Sequence, residues 1–127
     1  MKKLLLCLPL LLAACGADSD EKTEPLTGAL QIETHVDPDP PAVGQNTLHV
    51  QVSDAAGAPV SGAVVRVVPF MPAHNHGSSE TPVVTDNGDG SYTATPVTLT
   101  MPGTWEVTIT AKAGDADGRL VLTWDAQ

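Results

Sequence analysis

The chain has 127 residues, with fifteen Asp and Glu against six Lys and Arg and a formal net charge of −9. That balance excludes nucleic acid and anionic lipid headgroups as electrostatic partners. Two cysteines exclude a disulfide-rich scaffold, and the length suits one domain around one core.

The first fourteen residues read as a signal peptide. Lys2 and Lys3 form a positive start, and Leu4 to Leu12 form an apolar run broken only by Pro9. The run is too short for roughly 30 Å of hydrocarbon, which needs about 20 residues. Leu12-Ala13-Ala14-Cys15 places small residues before a cysteine, as a lipoprotein signal peptidase requires. The segment resembles bacterial lipoprotein signals. The resemblance implies cleavage before Cys15, a diacylglyceryl thioether on its sulfur and N-acylation. Gly16 and Ala17 follow, with no aspartate at the second mature position. In a Gram-negative cell that pattern implies the outer membrane, facing the periplasm.

Cleavage removes Lys2, Lys3 and Cys7 and takes the side-chain charge to −11. With Cys15 lipidated, the mature domain has no thiol. A disulfide, a cysteine nucleophile and a blue-copper centre, which needs cysteine, are all excluded. Residues 15–27 are acidic and poor in large apolar groups, and read as a flexible tether reaching about 20 Å.

Residues 28–127 are strand-like throughout. Leu30, Ile32, Thr34 and Val36 alternate with polar neighbours, as do Leu48, Val50 and Val52. Val65, Val67 and Phe70 lie in a β-branched run. Tyr92 to Leu99 is rich in Thr and Val, with Pro96 marking an edge or a bend. Trp105, Val107 and Ile109 alternate with polar residues, and Leu120, Leu122 and Trp124 carry the last run. Turn signals separate them at Ala56-Gly57, Asp86-Asn87-Gly88-Asp89-Gly90, Pro102-Gly103 and Gly114-Asp115. Six or seven short strands predict an all-β, antiparallel sandwich. One Phe and two Trp leave its core to Val, Leu and Ile, so large cavities are not expected.

Chemistry concentrates in Phe70-Met71-Pro72-Ala73-His74-Asn75-His76-Gly77. In extended backbone, positions two apart share a side, so His74 and His76 can converge on one ion. Met71 adds a thioether at the strand end. Met101 precedes Pro102-Gly103 and reaches the same place if the loops at that end cluster. Imidazole with soft thioether selects copper, Cu(I) above all, over zinc or calcium. Each methionine equally suits a core plug at a strand end, and the histidine pair suits a solvated loop. His49, out of phase with its apolar neighbours, reads as solvent-facing. His35 stands before a Pro-rich loop and reads as no ligand. Asp86, Asn87 and Asp89 lack the glutamate of a calcium loop, and Asn87-Gly88 is a hairpin signal.

The order of motifs carries a further resemblance. Val43-Gly44-x-Asn46, Leu48-x-Val50-x-Val52, Gly57-x-Pro59-Val60-x-Gly62-Ala63 and Gly90-x-Tyr92 accompany Met71-Pro72-x-His74-x-His76-Gly77 and Met101-Pro102-Gly103-x-Trp105. From about Thr27 to Leu122 the chain resembles the YtkA-like domain, related to FixH-type proteins. The resemblance implies an immunoglobulin-like sandwich of about seven strands at the bacterial cell surface, among copper-handling and oxidase-assembly proteins. Met71, His74, His76 and Met101 fall on the family's Met/His segments. FixH proteins usually carry a transmembrane anchor, where a lipid on Cys15 is expected here. Two functions follow: a copper binder that buffers copper or passes it to a copper-handling partner, or a metal-free interaction or structural module. No Ser-His-Asp arrangement or paired buried carboxylates point to an enzyme.

Overall fold

The computed structural model describes residues 27–127; the signal peptide, Cys15 and nearly all of the tether lie outside the described residues. Nine strands run in chain order: β1 (Thr27–Ala29), β2 (Gln31–Asp37), β3 (Gly44–Ser53), β4 (Val64–Met71), β5 (His76–Gly77), β6 (Val83–Asp86), β7 (Ser91–Leu99), β8 (Gly103–Ala113) and β9 (Asp115–Ala126). They form a five-stranded sheet of order β1-β9-β8-β4-β5 and a four-stranded sheet of order β2-β3-β7-β6. The all-β sandwich is as expected. The long strands match the alternating runs, because period-two patterning gives each strand one apolar face to bury.

The strand count exceeds seven because β1, β5 and β6 are too short to show an alternating pattern. One pairing also departs from a purely antiparallel sandwich. β1 lies parallel to β9, with Thr27 opposite Asp115 and Ala29 opposite Asp117. Leu30 then crosses to the other sheet, its N–H donating to the Asp117 carbonyl at 2.7 Å. This close crossing requires a small residue on β9. A Cβ on Gly118 would stand 2.5 Å from the Leu30 carbonyl oxygen.

The core lies between the sheets. Leu48, Val50 and Val52 from β3 and Tyr92, Ala94, Val97 and Leu99 from β7 face Val65, Val67, Met71, Trp105, Val107 and Ile109. The buried phase of β7 slips by one between Ala94 and Val97. Opposite that slip, β3 pairs Asn46 with Val97 but Leu48 with Ala94, so the ladder carries a bulge. Pro96 sits within it. β7 is an interior strand, and the bulge is how it accommodates a residue with no N–H to donate.

Two polar side chains pin loops to this core. Asn46, 2% exposed, accepts from the Ala42 N–H at 2.9 Å. Its amide donates to the Ala42 carbonyl at 2.8 Å and to those of Gly44 and Val97 at 3.2 Å. The Tyr92 hydroxyl donates to the Val60 carbonyl at 2.8 Å and accepts from the Ala63 N–H at 2.9 Å. It thereby closes the loop between β3 and β4. The Asp86–Gly90 segment is the hairpin turn its sequence suggests, with the Gly88 N–H on the Asp86 carboxylate at 2.8 Å and the Ser91 N–H on that of Asp89 at 3.0 Å. The Ser91 hydroxyl, with the Ser91 N–H second, donates to the Asp89 carboxylate, favours its charged form and holds it below the ordinary carboxylate value.

Each pin has a testable cost. Asn46→Ala leaves buried backbone groups without their partners and is expected to destabilise by about 2 kcal/mol, read as a lower urea midpoint. Burial pushes the Tyr92 phenol above its ordinary value. The folded state therefore favours the neutral phenol. The stability this supplies is complete below about pH 10 and is lost as pH rises through the raised folded value. Tyr92→Phe should lower stability at pH 8 by about 1–3 kcal/mol and flatten the loss between about pH 10 and 12. Urea melts of the two proteins across that range make the comparison.

Candidate metal-binding end of the sandwich

The inner face of β4 ends at Met71, which is 1% exposed and belongs to the core. Pro72, its φ set by the ring, opens a 3-10 turn over Pro72–His74. Asn75 closes the turn in the left-handed conformation (φ 53°, ψ 46°), its N–H donating to the Pro72 carbonyl at 3.2 Å. Asparagine is among the few residue types that occupy this region at low cost. The chain therefore doubles back, and β5 pairs with the end of β4, His76 opposite Met71 and Gly77 opposite Phe70.

This geometry corrects one expectation. His74 and His76 do not share a side of extended backbone, because His74 lies on the helical turn and only His76 lies on a strand. The reversal itself brings them together, with ring centres 5.9 Å apart and planes tilted by 39°. His74 is exposed and His76 half-buried.

The His76 ring also meets Trp105 edge to face at 5.7 Å and 71°. Trp105 is fully buried, and its indole N–H donates to the Met101 carbonyl at 3.1 Å. The Met101 loop is thus held against the Met71–His76 hairpin, with the half-buried Met101 side chain packed on the core. Gly103, at φ 134°, lies directly over Met71, and a Cβ there would stand 2.9 Å from the Met71 methyl carbon. Only glycine provides both that conformation and that clearance. The four candidate residues are therefore brought to one end of the sandwich, as clustering of the loops required. Met71 is also the core plug that its strand-end position allowed. Trp105, which joins the two segments, was read from the sequence only as a core residue.

His76 Nδ1 lies 3.0 Å from the Gly77 carbonyl oxygen. A carbonyl can only accept, so Nδ1 is the donor of this contact and Nε2 is the nitrogen left to face an ion. Positive charge stands elsewhere. Arg66, Lys112 and Arg119, the basic residues of the described chain, line a groove around Val64 at the opposite end of β4. Among the described residues, no three His, Cys, Asp or Glu side chains surround one point. The thioethers of Met71 and Met101 are the soft donors at this end that could join the two imidazoles, a set that would fit copper and poorly fit calcium or magnesium.

A second pair of histidines, His35 and His49, stands face to face on the outer surface of the other sheet. The pairing was invisible in sequence, where each histidine reads alone. None of the described helical segments is long and apolar enough to cross a membrane.

Comparison with known proteins agrees with the motif order. No match was found among curated proteins or solved structures. The family model described as YtkA-like matches residues 26–110, which includes both methionines, both loop histidines and Trp105 but stops short of β9. The chain belongs to the YtkA-like family.

Proposed function

We propose that this protein is a cell-envelope copper binder, tethered through lipid on Cys15, that buffers copper or passes it to a copper-handling partner. The reading is non-enzymatic. His74 and His76 supply imidazole nitrogens at the rim. Met101 supplies a thioether beside them, and Met71 supplies one from the floor. The observation that carries the reading is the Trp105–Met101 hydrogen bond, which holds a second methionine loop against the Met71–His76 hairpin. A site of two nitrogens and two soft sulfurs stabilises Cu(I), and its position at the open end of the sandwich lets a partner reach the metal.

A metal-free docking module is the second reading, favoured by exposed Val64, Val68 and Val121 on the outer face of the five-stranded sheet. Titration with Cu(I) against a chromogenic chelator separates the two. The copper reading expects one equivalent bound, with affinity falling by about 100-fold or more in a His74→Ala, His76→Ala double variant. Absence of Cu(I) binding to the wild-type protein would retire copper and leave the docking module.

The methionines make a second test. Met101→Leu keeps volume and core contacts, so the melting temperature should hold while Cu(I) affinity falls about tenfold and Cu(II) affinity changes less. Equal loss for both ions would show that the thioether is not a ligand.

A further inference from the structure

The chain contains four histidines, and the fold sorts them into two pairs. The second pair owes nothing to chain proximity. His35 on β2 and His49 on β3 are directly opposed in the antiparallel ladder. Their rings stack 6.1 Å apart with planes 22° from parallel, and both are exposed. Glu33 and Gln51, the next opposed pair on the same outward face, line one shallow depression with the two histidines and with Ser91 of β7. The rest of that face is mostly Thr, Ser, Gln and acidic residues, with Val83 exposed at its β6 edge.

Opposed imidazoles on a solvated sheet gain little from each other. They bury no apolar area, and when both are protonated they repel across the strand pair. Their ring separation is near that of a chelate, and a shared ion would turn the stacked rings until it lay in both ring planes. Two imidazoles on one tetrahedral ion, with metal–nitrogen bonds of about 2.0 Å, have ring centres about 5 Å apart. Closing from 6.1 Å and turning the planes takes rotation of two solvent-exposed side chains about their own torsions. No third His, Cys, Asp or Glu among the described residues closes on the pair, so water completes the coordination and Glu33 contributes charge across the depression.

We propose that His35 and His49 form a second metal site, a cross-strand bis-imidazole chelate for a borderline divalent transition ion such as Zn(II) or Cu(II). It is distinct in chemistry from the Met/His end. It has nitrogen and water ligands only and therefore no preference for Cu(I). The site does not depend on the copper reading above, and the two fail separately.

Zn(II) alone is the probe, titrated calorimetrically into the full-length protein carrying His74→Ala and His76→Ala, so that only the sheet pair remains. One equivalent should bind. Adding either His35→Gln or His49→Gln should weaken that binding by at least about tenfold, because a single surface imidazole is a poor site. Both positions are solvent-exposed, so circular dichroism and melting temperature should not move. In the converse background, His35→Gln with His49→Gln should leave Cu(I) binding unchanged. No Zn(II) binding in the first background, or binding that survives either glutamine substitution, overturns the proposal.

Discussion

Trp105 is the contact on which the functional end of the molecule depends. It is the largest of the fully buried side chains, so the sandwich loses much apolar contact if it moves. Its indole carries one donor, which must be matched inside a dry interior, and the only match is the Met101 carbonyl. The hydrophobic term therefore decides where the ring sits, and the hydrogen bond then decides where the Met101–Gly103 loop sits. On the other side the ring meets His76, whose strand is paired to Met71. One buried ring thus couples two loops that are thirty residues apart and supports the half-buried His76 beside the exposed His74.

The same economy appears in the other loops. Tyr92 is buried with its hydroxyl on two backbone groups of the Val60–Ala63 loop, and Asn46 satisfies the loop before β3. No buried side-chain nitrogen or oxygen among the described residues lacks a partner. The loops are therefore fixed by a few polar side chains reaching out of an aliphatic core.

Charge is distributed with similar consequence. The described basic residues gather where β4 begins, Arg66 opposite Thr110 and Thr110 opposite Arg119, with Lys112 one row away. β4 spans about 20 Å from there to Met71, well beyond a Debye length at physiological salt. The Met/His end consequently lies away from the described ammonium and guanidinium groups.

Much of this was legible in the chain itself. The alternation of Leu48, Val50 and Val52, and of Trp105, Val107 and Ile109, determined strands and their buried faces, because a period of two admits one burial solution. The Met71–His76 spacing and the Met101-Pro102-Gly103-x-Trp105 motif pointed to the family, which the family model matches, and to the candidate ligands. Strands of two to four residues, such as β5 and β6, were not legible, since they are held by their neighbours and not by their own pattern. Nor were the distances. That His74 and His76 meet through a helical turn depends on Asn75 taking a left-handed conformation that its sequence permits but does not require. That Met101 joins them depends on the indole of Trp105. That His35 faces His49 depends on the β2–β3 register, which is set by the whole buried face of both strands and by no feature of either histidine.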